Sequence, residues 1–327
     1  MEPVKPKALV LLNMGGPDSP DAVRPFLYNL FSDRDLIQLP LGSLLQSPFA
    51  RMISFFRSRR VRRNYEEIGG KSPLLEWTRR QAEGIAARLG DEWQPHVVMR
   101  YWKPRAEEVL RQLAAEGVEE AVVLSMYPHY TGATTGSSVK DFRRAAEKVH
   151  PSLRYSVIEE WFDWPGYLDA LANRVREGLE NFHELMRHDV QILFSAHALP
   201  QKFIDRGDPY LEHVLATATG VMKRVGEEYQ WHVGFQSRSG PVKWMEPDTV
   251  EVIDTLASEG HKALLIVPIS FVSDHIETLQ EIDMEYRHHA GGAGISQFFR
   301  SPSLNESPDF LDAMAELVAT HRAEKDK

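Results

Sequence analysis

The sequence predicts an α/β protein of two Rossmann-like domains, each a parallel sheet flanked by helices. Three observations carry that expectation. Short apolar runs lack the polar–apolar alternation of half-exposed strands, as strands covered on both faces do. Amphipathic stretches of helical length separate them, the pattern of parallel sheets closed by crossovers. The same order recurs in both halves of a 327-residue chain, and that length suits two domains at roughly 100–200 residues each.

Taken in order, ALVLLN (8–13) is the first buried strand and MGGPDSP its loop. Ser19 is a suitable N-cap for a helix with Pro20 at its first position, running to about Phe31. VVMRY (97–101) and AVVLSM (121–126) are the next strands, with the helix AEEVLRQLAAEG between them. VQILFSA (190–196), HVGFQS (232–237) and ALLIVPI (263–269) repeat the pattern, with TVEVIDTLASEG as a crossover helix. The domain limit falls around EEWFDWPGY, near 155–165. This gives an N-terminal domain over 1–160, a C-terminal domain over 161–300, and a helix in 301–327 that packs back on the first domain. Loops after strand C-termini carry the ligand site in such folds. They are 13–18, 100–104, 127–136, 195–201, 236–245 and 268–278.

Composition narrows the chemistry. The chain has no cysteine, which excludes disulfides, thiolate zinc sites, cysteine-held iron–sulfur clusters and a cysteine nucleophile. Its formal net charge of −9 disfavours a general nucleic-acid coat. No run approaches the ~18 apolar residues of a membrane span, and MEPVKPK leads into a strand rather than a secretory signal. A cytoplasmic protein is expected. Gly70-Lys71-Ser72 resembles the end of a P-loop, but Tyr65 stands where the upstream glycine belongs. No G-x-G-x-x-G follows a strand, His183-Glu184 lacks its second histidine because Arg187 occupies that position, and no G-x-S-x-G exists.

Three features survive. In FSAHALP, His197 follows a buried strand, where a neutral imidazole can bind a metal or accept a proton near pH 7. The competing reading is a satisfied histidine at a domain edge. In PISFVSDHIETLQEIDMEY (268–286), Glu277, Glu281 and Glu285 are spaced i, i+4, i+8, so an ordinary helix stacks them on one face. A surface stripe is the simpler reading. Against it, Phe271, Val272, Ile276 and Leu279 make the entrance apolar and place Asp274 and Glu277 near burial. Imidazole and carboxylate without thiolate suit ferrous iron or another borderline divalent metal.

The third feature is 36–63, LIQLPLGSLLQSPFARMISFFRSRRVRR, which has no acidic residue. Arg51, Arg57, Arg59, Arg60, Arg62 and Arg63 stand among Leu41, Leu44, Leu45, Phe49, Ile53, Phe55 and Phe56. Membrane-surface docking, an apolar lip over a cleft and a partly buried helix–loop–helix with a basic rim all fit. Nucleic-acid binding fits less well. Arg100 and Tyr101 end a strand, Trp244 is a cleft aromatic or simple core, and YPHYTGATTGSS (127–138) is an anion cradle or an ordinary capping loop.

LLNMGGP, RRNYEEIGGKSPL, MRYWKP, YPHYTGATTGSS, FSAHALP, RGDPY, FQSRSGPVKW and SFVSDHIETLQEIDMEY together resemble the ferrochelatases, from about residue 8 to SLNESP. The resemblance implies insertion of Fe²⁺ into protoporphyrin IX, with loss of two protons, in the last step of haem synthesis. It implies a porphyrin cleft between the two domains, with His197 on one wall and Glu277 on the other dividing the proton-acceptor and metal-ligand roles in either order. Asp274, His275, Glu281 and Glu285 match the proposed proton or metal route. Met14, Arg100, Tyr101, Trp244 and Phe271 match porphyrin-lining positions. Fe²⁺ is then a substrate, and no permanently bound cofactor is expected. Gly132 stands where some members place a cluster cysteine. Met14 in NMGGP resembles the protoporphyrin-using type rather than the coproporphyrin III type. Segment 36–63 matches the lip of membrane-associated members, which implies peripheral contact with the inner face of the membrane. A haem-pathway enzyme partner is also admitted, and nucleic acid is not. A coproporphyrin III ferrochelatase, a cobaltochelatase of the same fold and a non-catalytic porphyrin or haem carrier are the alternatives.

Overall fold

The computed structural model describes residues 6–37, 42–226 and 228–325. The chain divides into two compact units, Met1–Glu160 with Met314–Lys327, and Trp161–Ala313. In the first unit, β1 (Lys7–Asn13), β2 (Trp93–Met99), β3 (Glu120–Ser125) and β4 (Arg154–Ile158) form a sheet in the order β2-β1-β3-β4. In the second, β5 (Gln191–His197), β6 (Trp231–Gln236), β7 (Ala263–Pro268) and β8 (Gln297–Arg300) form one in the order β6-β5-β7-β8. Every pairing is parallel. Each half therefore sets its first strand between its second and third.

The inner strands β1, β3, β5 and β7 are buried along almost their whole length, because helices cover both faces of a parallel sheet. Ala8, Val10, Leu12, Ala121 and Val123 pack against helices Ala106–Ala115 and Ser137–Val149. Leu9 and Leu11 are buried on the opposite face, where helix Leu74–Leu89 meets β1. In the second unit, Leu193, Leu264 and Ile266 pack against Ile253 and Leu256 of helix Thr249–Ser258 and against Ile282 and Tyr286. Asp248 opens that helix through a capping box with Glu251. Gly234 permits its close approach, since a Cβ there would lie 2.9 Å from the Thr249 Cα.

Four expectations need correction. The strand expected over 97–101 ends at Met99, which leaves Arg100 and Tyr101 in the following loop. β4 and β8 were not anticipated; both are short edge strands with mixed exposure, so neither shows a continuous apolar run. Ser19 caps a 3₁₀ turn, Pro20–Ala22, that precedes the α-helix Val23–Ser32. Residues Glu277–Tyr286 form a π-helical run rather than an ordinary helix, so the i, i+4, i+8 stacking of the three glutamates does not hold.

The basic, apolar segment is one helix, Ser43–Glu67, with Pro48 inside it, rather than a helix–loop–helix. Leu41 lies outside the described residues. The helix packs against Val23–Ser32 through Gln46, Ala50 and Ser54, which are buried. Its apolar side chains point the other way: Leu44, Met52, Phe55 and Phe56 are 79%, 53%, 56% and 71% exposed. Arg57 lies over the Phe31 ring and Arg62 pairs with Asp21 at 3.0 Å, while Arg51, Arg59, Arg60 and Arg63 are exposed. Among the described residues no helix is long and apolar enough to cross a membrane.

Candidate active site

β5 ends at His197, opposite Gln236 on β6. The His197 N–H donates to Ser270 Oγ at 2.9 Å, and its carbonyl accepts from the Tyr210 hydroxyl at 2.9 Å. Tyr210 and Ser270 are themselves 2.6 Å apart. The backbone of this residue is held by the sheet on one side and by a Tyr–Ser clamp on the other. The imidazole is about one-third exposed.

Its Nδ1 lies 3.0 Å from Glu277 Oε2. An ionised carboxylate only accepts, so the proton sits on Nδ1 and Nε2 keeps its lone pair. His197 and Glu277 therefore do not stand on facing walls, as expected from the sequence; they form one dyad. Gln236 Nε2 also donates to Glu277 Oε2, at 3.2 Å. Buried His275 donates Nδ1–H to the Ser273 carbonyl at 3.0 Å, which leaves its Nε2 3.9 Å from the same Glu277 oxygen without a hydrogen-bond partner. Burial opposes ionisation of Glu277, but His197, then His275, outweigh it and hold the carboxyl well below the usual range. Burial likewise pulls His197 down, and the Glu277 charge and hydrogen bond reverse this and leave it raised.

Glu281 sits beside the dyad and is pushed the opposite way. Burial, then the Glu277 charge, raise its carboxyl, although the Ser237 and Tyr286 hydroxyls partly compensate. Ser237 donates to it twice, from N–H to Oε1 at 3.0 Å and from Oγ to Oε2 at 2.5 Å. Ser237 does so at φ 65°, a left-handed conformation that costs a non-glycine residue about 1–3 kcal/mol. The Tyr286 hydroxyl donates to Glu281 Oε1 at 2.7 Å. Burial and that carboxylate push the phenol up, so it remains a donor.

The remaining expected residues divide. Phe271 covers the pair, its ring 4.1 Å from that of His275 and edge-on to His197 at 6.3 Å. Trp244 lies on the segment bridged to Pro200, just beyond His197, and its indole N–H is buried without a hydrogen-bond partner. Glu285 is exposed and bonded to Gln280. Asp274 is not turned toward the dyad. It accepts from Ser303, Asn305 and Thr278 at 2.8, 2.9 and 3.2 Å and pairs with Arg300 at 3.0 Å.

The first unit has its own polar cluster. Asp33 Oδ2 accepts from Arg100, the Tyr101 hydroxyl and Ser137 at 2.9, 2.7 and 2.5 Å. Tyr101 is consequently buried, and its N–H donates to the Met14 carbonyl at 2.9 Å. Arg100 and Tyr101 are thus engaged by Asp33, and Met14, partly exposed, sits at the end of β1 beside them.

Gln236, Ser237, Ser270, Tyr210, Tyr286 and Asp33 were not singled out from the sequence. The signal existed for three of them, since Gln236 ends β6, Ser237 follows it and Ser270 follows β7, the same strand-end rule that selects His197. Among the described residues no three His, Asp or Glu side chains gather as a metal-holding group.

A ferrochelatase family model matches residues 6–322. A ferrochelatase from Geobacter metallireducens is 52% identical over 95% of this chain and 97% of its own length. One from Synechocystis is 44% identical over 95% of this chain and 81% of its own length. Among solved structures, SirB from Bacillus subtilis with Fe³⁺ superposes with a TM-score of 0.56 at 13% identity, covering 98% of this chain and 97% of its own. A sirohydrochlorin chelatase SirB in complex with cobalt gives 0.53 at 10%, covering 96% of this chain and 94% of that one. These last two likenesses bear on the fold alone.

Proposed function

The chain belongs to the ferrochelatase family, which inserts ferrous iron into a porphyrin for haem synthesis, and on that premise we propose which residues do so here and on which porphyrin. His197 Nε2 accepts the pyrrole protons. The 3.0 Å contact of Nδ1 with Glu277 carries this reading, because it fixes the tautomer that leaves Nε2 free to accept. Glu277 then stabilises the imidazolium that forms, as a buried carboxylate does beside a working histidine.

The chemistry balances without redox. Two N–H bonds break, each electron pair stays on its nitrogen, and the iron enters as Fe²⁺ and remains so. His197 takes one proton at a time. Glu281 is the second group suited to hold one, since its carboxyl is raised. Glu285 is the exposed end of the route by its exposure alone, since it bonds Gln280 and does not stack on Glu281. Asp274 is left out of the route, because four partners already occupy it. His275, with its unpartnered Nε2 facing Glu277, is the remaining donor near which iron passes.

Protoporphyrin IX is the proposed porphyrin. Met14 and the outward apolar face of Ser43–Glu67 support a dicarboxylate substrate that partitions into membranes. The same face, with its arginines, supports peripheral docking to an anionic lipid surface. The deciding experiment is anaerobic incubation with Fe²⁺ and either protoporphyrin IX or coproporphyrin III, followed by absorbance. Faster conversion of protoporphyrin to haem is expected; preference for coproporphyrin would reverse the substrate assignment. Tight porphyrin binding without metallation would identify a carrier instead.

A further inference from the structure

We propose that Arg300 is a positioning residue for metal insertion: it holds 277–286 in π register, and that register delivers Glu277 to His197 and Glu281 to Ser237. The inference rests on the reading of the dyad given above.

Arg300 is the last residue of β8, paired with Ile266 in the sheet, so its backbone belongs to the rigid part of the unit. Its guanidinium is only 11% exposed and reaches two carboxylates. Asp274, just ahead of the run, lies at 3.0 Å. Asp283, inside the run, is gripped by Nε at 3.0 and 3.1 Å and by a terminal nitrogen at 2.9 Å. Arg287 adds a longer contact to Asp283 at 3.8 Å. One strand-end cation thus ties the entrance of the run to its second half.

The register it ties is visible in the side chains. Glu281 meets Tyr286 at 2.7 Å, and Gln280 meets Glu285 at 2.9 Å; both pairs are five residues apart. In an α-helix, at about 100° per residue, such pairs point ~140° apart and do not meet. The π form is the rarer state and persists only where its surroundings hold it. Without Arg300 the two aspartates lose their common partner. A relaxed run would draw Tyr286 away from Glu281 and turn Glu277 from the imidazole.

The test uses the full chain carrying Arg300→Lys, Arg300→Met, or Arg300→Met with both Asp274→Asn and Asp283→Asn, the last so that neither carboxylate is left without its cation if the single change fails to fold. Turnover is measured at saturating porphyrin and normalised to enzyme that binds porphyrin by fluorescence quenching. In each variant kcat is expected to fall about 10–100-fold, as for groups that orient a working side chain, with porphyrin affinity unchanged. Lysine keeps the charge but cannot bridge, so it should not rescue. Full activity of Arg300→Lys, or a loss confined to the fraction of enzyme that binds porphyrin, would overturn the proposal. A parallel His197→Ala measurement separates the two readings: if it retains turnover, the dyad assignment fails, whereas if only the Arg300 variants do, Arg300 fails alone.

Discussion

The helix Ser43–Glu67 and the π-helical run Glu277–Tyr286 break the same rule in opposite directions. The first turns Gln46, Ala50 and Ser54 inward and leaves Leu44, Met52, Phe55 and Phe56 in solvent. The second keeps Ile282 in the core yet draws two carboxylates, Glu277 and Glu281, into partial burial. Burial of an ion costs several kcal/mol unless it is paired, and exposed apolar area is unfavourable in water. Neither arrangement serves stability alone. On the reading proposed above, each marks a surface shaped for something outside the fold: apolar matter in one case, a proton and a metal ion in the other.

That contrast can be broken experimentally. The largest effect is expected from His197→Ala, which should leave folding intact because the ring is part-exposed, and should lower kcat for haem formation by ~10²–10⁴-fold. Near-normal turnover would remove the site from the second region. Next is Asp274→Ala, a structural rather than a chemical change. Arg300 keeps Asp283, but Ser303, Asn305 and Thr278 lose their acceptor, so a cost of about 1–3 kcal/mol is expected, read by denaturant unfolding. Burial raises the Asp274 carboxyl, but Arg300 and three hydrogen bonds more than reverse this, so its net position is lowered. Its contribution is therefore complete above the ordinary aspartate range and is lost as pH falls through the folded value. The gap between wild type and variant should narrow in acid.

Glu277→Gln should cost about 10-fold in kcat at neutral pH, and its pH profile is the sharper readout. Activity requires unprotonated His197, so kcat/KM rises with pH through that residue's pKa. The Glu277 charge and hydrogen bond raise this pKa; without them, burial is opposed by Glu281 alone and the acid limb should move to lower pH. An unmoved limb would show that the dyad does not govern catalysis. The smallest effect on the enzyme itself is expected from Phe55→Ser with Phe56→Ser. Stability should change by about 0.5 kcal/mol or less, as for exposed positions, while retention on anionic vesicles should be lost. Equal sedimentation of both proteins with vesicles would leave the apolar face of the first region without a membrane role.

Legibility in the sequence follows range and register. β1, β3, β5 and β7 are readable because both their faces are covered, so the apolar run is unbroken. β4 and β8 are edge strands, and RYSVI and QFFR carry no such run. His197 and Glu277 are each visible from local context, one past a strand and one at an apolar helix entrance. Their contact spans 80 residues and is invisible to any local pattern. The glutamate spacing misleads for a different reason. An i, i+4 stripe presumes an α-helix, and only the tertiary setting of 277–286 selects the π form.

Ser237 has a consequence for evolution under selection for robustness. Its φ of 65° is one that glycine adopts without penalty. A Ser237→Gly chain would shed that strain while surrendering the hydroxyl that grips Glu281. Screening for thermal tolerance alone sets the released strain against that lost bond, about 1–3 kcal/mol on each side, whereas screening for haem output would reject the chain outright. This position is where the two selections should part.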